Sequence, residues 1–132
     1  MVEADHRWRI SMEKLGKSLA RLEEVLREEL QTAILIDAPI QRFENCIELF
    51  WRTFRHLLAL EGRETFSPKE SLQAAYQLGW IQDEQAWLGM LKDRNLTFHT
   101  YNEALAEQIV QRVCTYYPEL EKTYQFLVQQ FQ

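Results

Sequence analysis

Hydrophobic residues recur at helical spacing from the first tenth of the chain onward. Between Arg7 and Leu30 they follow steps of three and four residues, which places them on one stripe of a helix with 3.6 residues per turn. The residues of this stripe are Leu15, Leu19, Leu22, Leu26 and Leu30. No stretch of the chain alternates with a period of two between turn signals, so we expect no strands.

The sequence DAPI at residues 37–40 interrupts this pattern. Proline cannot donate an N–H and disfavours helix in the residue before it, but it suits a first helical turn. We therefore predict a second helix that begins at Pro39 and ends near Gly62, where a left-handed C-terminal cap is expected. Its stripe is rich in aromatic residues: Ile40, Phe43, Ile47, Phe50, Trp51, Phe54, Leu57 and Leu58.

A third helix is predicted from the sequence SPKE at residues 67–70. Ser67 can accept from the backbone of the first turn, Glu70 can reach back toward the start of the helix, and Pro68 occupies the first helical position. This short helix should run to about Leu78 and stop at Gly79.

The last two predicted helices meet near residue 100. Asp83 is the expected N-cap of the fourth helix, whose apolar stripe is Trp87, Leu88, Leu91 and Phe98. Thr100 and Glu103 form a second capping box, which opens a fifth helix. We predict that the fifth helix continues past Pro118 as one kinked rod, because one face stays apolar on both sides of the proline: Leu105, Ile109, Val113, Tyr116, Leu120, Tyr124, Leu127 and Phe131.

The composition supports a single packed domain. The chain has 132 residues, of which 46% are hydrophobic, with four glycines and three prolines. This length suits one core, so we predict that residues 1–132 form one all-α domain, an up-and-down bundle of four to five helices. Trp8, Trp51, Trp80 and Trp87 occur at helical spacing among aliphatic residues, and we assign them to packing.

The net charge and the cysteines argue against several classes of protein. A net charge of −5 argues against a protein that wraps long nucleic acid, because neutralising phosphates requires a surplus of Lys and Arg. Cys46 and Cys114 form no metal-binding or disulfide pattern, so we expect neither a metal nor a cofactor, and both should lie in apolar faces. With no signal peptide and no run of about 18 apolar residues, we expect a cytoplasmic protein without membrane contact.

The segment RNLTFHTY at residues 94–101 contains several candidate functional residues and lies at the predicted junction of the fourth and fifth helices. Arg94 and Asn95 fall within about 60° of the centre of the predicted apolar stripe, where a charge is costly unless it is hydrogen-bonded or opens onto a cleft. His99 and Tyr101 end the same helix and can converge with Arg94. Arginine can stabilise phosphate charge and histidine titrates near neutrality, although the same residues can simply cap carbonyls and fill the junction.

Several motifs together resemble a known family. The octet fits the pattern R-x4-H-x-Y, and IQRFENCIELFW at residues 40–51, GWI at 79–81, the W..ML.DRN pattern that begins at Trp87 and HTYNE at 99–103 accompany it in order. This set is similar to the HEPN superfamily of helical bundles, and within it to the nucleotidyltransferase substrate-binding proteins. The resemblance runs from the start of the second helix to about Ile109, while the first helix matches only in pattern.

This resemblance implies a cytoplasmic homodimer that binds a separate minimal nucleotidyltransferase, usually encoded by a neighbouring gene in a toxin–antitoxin-like pair. The chain would then be a substrate-binding subunit with little or no catalysis of its own, and a nucleotide or RNA would be its ligand. Some relatives with R-x4-H-x-Y are toxins that cleave RNA without metal, and these are neutralised when the partner attaches AMP to the motif tyrosine, here Tyr101. A metal-independent endoribonuclease is therefore the alternative function.

The expected substrate-binding residues are Arg94, Asn95, His99, Tyr101, Arg52 and Arg55. In the alternative, Arg94, His99 and Tyr101 are catalytic: His99 moves a proton at the ribose or leaving oxygen and Arg94 steadies the phosphate. Arg52 and Arg55 share a face of the second helix with His56, which makes them a second candidate for contact with a phosphate or a partner, although such a face is usually just solvated.

Overall fold

The structure is a computed structural model that describes residues 2–27, 33–96 and 103–131, with the side chains of 2–6, 33–37 and 103 left undescribed. These ranges contain five helices and no strand: α1 Val2–Leu26, α2 Ala33–Leu60, α3 Pro68–Gln77, α4 Glu84–Leu96 and α5 Glu103–Gln130. The predicted all-α helical fold is confirmed. Leu30, Phe98, His99, Thr100 and Tyr101 lie outside the described residues.

Helix α2 lies at the centre of the fold and contacts each of the other four helices. Its aromatic stripe is fully buried at Phe43, Phe50 and Phe54. Trp87 of α4 meets two of these rings edge-on, with centroid distances of 5.1 Å to Phe50 and 5.5 Å to Phe54. Such tilted aromatic pairs stabilise a core beyond the area they bury, so α4 is held firmly against α2.

The predicted caps of α2 and α3 are present. The Ser67 hydroxyl accepts from the Glu70 N–H, and the Glu70 carboxylate accepts from the N–H of Phe66, one residue before the cap. Gly62 and Gly79 both have positive φ, which favours glycine, and each ends its helix with a pair of backbone bonds of the Schellman type. The loop between α2 and α3 is therefore fixed at both ends.

The start of α2 corrects the sequence prediction. The helix begins at Ala33, and Pro39 lies inside it rather than at its start. A proline inside a helix removes one hydrogen bond and crowds the carbonyl group four residues earlier, so it weakens or kinks a helix without always ending it. Pro39 is buried next to Ile40, and this burial favours the helical conformation on both sides of the proline.

The start of α1 also differs from the prediction. The helix begins at Val2 and not at residue 7, and Leu15, Leu19 and Leu22 are buried as the periodicity predicts. The helix is described as far as Leu26, and the predicted end at Leu30 lies outside the described residues. Its first turn is polar and contains good helix formers without a breaker, so it extends the helix with no apolar signal in the sequence.

The buried face of α4 is rotated from the predicted stripe. Its buried side chains are Trp87, Met90 and Asp93, whereas Leu88 and Leu91 are only half-buried. The prediction missed this face because a charged residue, Asp93, forms part of it. The continuous helix α5 does pass through Pro118, as predicted.

Candidate functional site

Arg94 lies in the last turn of α4, a helix that Asp83 starts by accepting from the N–H of Ala86 at 3.0 Å. Its guanidinium Nη2 is 3.1 Å from Oε1 of Glu48 on α2, and its side chain is 26% exposed. The Glu48 carboxylate also accepts from the indole N–H of Trp51. The requirement that a partly buried arginine be paired is therefore met by a carboxylate on the neighbouring helix.

A cavity of about 180 Å³ opens beside Arg94. Its wall comes from α2, the beginning of α3 and the end of α4: Trp51, Ser67, Pro68, Lys69, Leu91, Arg94 and Asn95. Two cationic side chains, one amide and the N-terminal end of α3 thus surround one space. This combination attracts negatively charged groups, because the N-terminus of a helix carries partial positive charge.

The structure describes four of the six predicted site residues, and it brings two of them together at one cavity. Arg94 and Asn95 line the cavity of about 180 Å³, although Asn95 is exposed and does not lie near the apolar centre of α4 as predicted. The reason is the rotated buried face of this helix. His99 and Tyr101 lie outside the described residues, so their convergence with Arg94 stays a prediction.

Arg52 and Arg55 lie in different surroundings. Arg52 is exposed, with its Nε 3.9 Å from Glu48 Oε2, so it shares the carboxylate that holds Arg94. Arg55 instead lines a different cavity, together with His56. Trp51, assigned to packing from the sequence, is half-buried and forms part of the cavity wall beside Arg94.

Sequence reasoning missed a buried charge next to Arg94. Asp93 is 4% exposed and accepts from Arg112 of α5 through Nε at 2.8 Å and Nη2 at 2.9 Å. It also accepts from the Tyr116 hydroxyl at 2.6 Å. Burial, followed by the hydrogen bond to Asp93, raises the pKa of Tyr116 to about 12. The hydrogen bond to Asp93 likewise raises the pKa of Arg112.

This cluster of Asp93, Arg112 and Tyr116 ties the end of α4 to α5 and thereby fixes the backbone that carries Arg94. Gly89 assists, because a Cβ at this position would lie 3.2 Å from the Tyr116 hydroxyl oxygen. Both arginine N–H groups converge on one carboxylate, the geometry that gives arginine pairs their directional strength. The available signal in the sequence was the spacing of Asp93, which follows Trp87 and Met90 at steps of three.

The cysteines and the other titrating groups suggest no further chemistry at this site. Cys46 is buried, and burial raises the pKa of its thiol to about 12, which leaves it unreactive. Cys114 is exposed, contrary to the expectation that both cysteines lie in apolar faces. Within the part of the chain that is described, no cluster of His, Cys, Asp and Glu is placed to hold a metal ion. None of the described helices is both long and apolar enough to span a bilayer.

Comparison with known proteins identifies the family. A model of the family described as nucleotidyltransferase substrate binding protein like matches residues 10–129. The chain belongs to this family. A crystal structure of a protein from Thermus thermophilus is also similar, with 36% sequence identity and a TM-score of 0.77 over 89% of this chain and 98% of that chain. A search of curated proteins finds no match.

Membership of the nucleotidyltransferase substrate-binding-protein-like family confirms the resemblance inferred from the motifs. The matched residues include the whole cavity wall from Trp51 to Asn95 as well as the Asp93 cluster on α4 and α5. The all-helical structure is consistent with the HEPN-like bundle that the resemblance implies. The family description points to a nucleotidyltransferase as partner.

Proposed function

We propose that this chain is the substrate-binding subunit of a separate minimal nucleotidyltransferase and performs little or no chemistry itself. The observation that carries this proposal is the placement of Arg94, which Glu48 holds at the wall of a cavity of about 180 Å³. Pockets that enclose a whole small ligand usually have about 300–1,000 Å³. The cavity therefore suits one anionic portion of a substrate, and the bound nucleotidyltransferase would enclose the rest.

The resemblance supports two further parts of this proposal. The chain forms a homodimer, and it belongs to a two-gene module of the toxin–antitoxin type. In such a dimer two copies of the junction between α4 and α5 would present their cationic groups together, which concentrates positive potential on a protein of net charge −5.

The alternative is a metal-independent endoribonuclease neutralised by AMP on Tyr101, and one observation favours it. A carboxylate next to Arg94 would repel RNA, but Asp93 is buried and directed to Arg112, so it is not aimed at a phosphate held by Arg94. The R-x4-H-x-Y motif from Arg94 to Tyr101 is complete in the sequence. Against the alternative, Glu48 already offsets part of the charge of Arg94.

The substrate-binding role is tested by nucleotidyl transfer with the partner enzyme. Arg94→Gln should lower the transfer rate by about tenfold or more, since it removes a charged contact, while the complex with the enzyme persists. Arg42→Gln is the matched control, because Arg42 is an exposed arginine on α2 outside the cavity. Unchanged transfer with Arg94→Gln would contradict the assignment of this cavity.

The ribonuclease alternative requires a different experiment. Expression of the chain alone should leave cellular RNA intact and growth normal if the substrate-binding role is correct. Cleavage of RNA by the purified chain without metal, abolished by His99→Ala, would instead establish the endoribonuclease. Addition of AMP by the partner, lost in Tyr101→Phe, would assign the modification site.

A further inference from the structure

A second cavity, of about 280 Å³, lies between α1, α2 and the loop that joins α2 to α3. Its wall includes Arg7 of α1, Arg55 and His56 of α2, and Phe66 of the loop. Residues 64–66 face this second cavity, whereas residues 67–69 face the one beside Arg94. The two spaces are therefore distinct and lie on either side of one loop.

No carboxylate among the described side chains pairs with the arginines of the second cavity. Arg27, Arg52, Arg94 and Arg112 each lie within ion-pair distance of a carboxylate. Among the side chains that the structure describes, no carboxylate lies that close to Arg7 or Arg55. The wall contains two guanidinium groups and one carboxylate, that of Glu64. The cavity therefore has a net positive charge.

His56 is oriented by a hydrogen bond in the same wall. Its Nδ1 is 2.6 Å from the hydroxyl of Ser11, which is buried on α1. This contact fixes the ring and makes Nε2 the nitrogen that a ligand can contact. Burial, followed by the positive charges of Arg55, Arg7 and Arg52, lowers the pKa of His56.

Phe66 gives the cavity an aromatic rim. Its side chain is 72% exposed, although the loop around it is well anchored. The N–H of Phe66 donates to the Glu70 carboxylate at 2.6 Å, and the neighbouring Thr65 is buried with its hydroxyl 2.7 Å from that of Ser71. A rigid loop thus presents a large apolar ring to solvent, where it can stack against a planar group.

We propose that this second cavity is a binding site for a ligand that combines a phosphate with a planar ring, of which a nucleoside monophosphate is the simplest example. Arg7 and Arg55 contact the phosphate, the His56 Nε2 donates to it, and Phe66 stacks on the ring. The site is independent of the function proposed for the cavity beside Arg94, since the two share no lining residue.

The test is a calorimetric titration of the full chain with AMP, adenosine and inorganic phosphate. AMP should bind, and Arg55→Gln and Arg7→Gln should each weaken it by about tenfold or more, because each removes a charged contact to the phosphate. Arg42 is an exposed arginine on the same helix as Arg55, and Arg42→Gln should leave binding unchanged. Phe66→Ala should weaken AMP binding but not phosphate binding.

Four results would overturn this proposal. AMP that fails to bind the wild-type chain would exclude the site, as would equal affinity of AMP for the Arg55→Gln and Arg42→Gln variants. Adenosine that binds as tightly as AMP would show that the phosphate is not recognised. Binding that is lost in Arg94→Gln but kept in Arg55→Gln would assign AMP to the other cavity.

Discussion

Glu48 orients the Arg94 side chain through an ion pair. Its carboxylate receives the Arg94 guanidinium from α4 and the Trp51 indole N–H from its own helix, with Arg52 at 3.9 Å. Trp51 and Arg52 follow Glu48 by three and four residues, the spacing at which side chains meet on a helix. The role of Glu48 toward Arg94 could not be predicted in this way, since the two residues are 46 positions apart.

His56 provides a prediction at the same scale. Because its pKa is lowered from an ordinary value of 6.5, the neutral ring contributes stability that is present above pH 6.5 and lost as the pH falls below it. Among the described side chains, the charged groups around it are Arg7 of α1, Arg52 and Arg55 of α2, and Glu64 of the loop. A phosphate bound there would favour the protonated ring.

We therefore expect AMP to raise the pKa of His56, measured by NMR titration of its ring protons. Arg55→Gln should also raise this pKa in the free protein, because it removes a neighbouring positive charge. The variant Arg42→Gln serves as the control and should leave it unchanged. A pKa that does not respond to AMP would contradict phosphate binding near the ring.

At the scale of elements, the cluster of Asp93, Arg112 and Tyr116 joins α4 to α5. Asp93 is buried while the Arg112 side chain is 40% exposed, so loss of the carboxylate leaves the arginine able to rehydrate. The cost of breaking the cluster should accordingly fall below that of a fully buried ion pair.

Asp93→Ala is predicted to lower the free energy of unfolding by about 2 kcal/mol, since it leaves the Tyr116 hydroxyl without its acceptor and opens a small void. Tyr116→Phe should lower it by about 1.5 kcal/mol, the low end for a hydrogen bond to a charged group, because the position is half-buried. Lys92→Ala, at the exposed neighbouring position, should change the free energy of unfolding by less than about 0.5 kcal/mol. Urea denaturation measures all three, and equal costs for Asp93→Ala and Lys92→Ala would contradict the structural role of the cluster.

The ends of the helices could be predicted from the sequence where they depend on residues a few positions apart. The buried faces of the helices could not be predicted where they depend on partners far away in the sequence. Ser67, Asp83 and Gly79 act within four residues of themselves, so their roles can be inferred from spacing alone. Asp93 can be buried because Arg112 and Tyr116 donate to it from another helix, 19 and 23 residues later. The same limit applies to the cavity beside Arg94, which needs α3 to be folded against α2 and α4.

At the scale of the whole molecule, one buried thiol and three half-buried tyrosine hydroxyls should make the fold sensitive to alkali. Burial raises the pKa of Cys46 from 9.0 to about 12 and that of Tyr116 from 10.0 to about 12, and it also raises those of Tyr117 and Tyr124. The folded state keeps these protons at pH values where the unfolded chain releases them. The stability they contribute is complete below pH 9 and is lost as the pH rises toward 12.

We expect the free energy of unfolding to fall as the pH is raised above about 9, by up to about 1.4 kcal/mol per pH unit for each group that titrates. Urea denaturation at pH 7 to 10.5 measures this slope. Cys46→Ala should reduce it, because one titrating group is removed, while Cys114→Ala at the exposed position is the control. A slope that is the same in both variants would contradict the role of the buried thiol.

The proposed function requires that the chain form a complex with a nucleotidyltransferase. A chain of this family with a partly enclosed site for an anionic group should bind that enzyme and complete the site at the interface. Native mass spectrometry of the chain mixed with the proposed nucleotidyltransferase partner measures this directly. We predict a stable complex at micromolar concentration that contains both proteins. Separate masses for the two proteins under these conditions, with both folded, would contradict the proposed function.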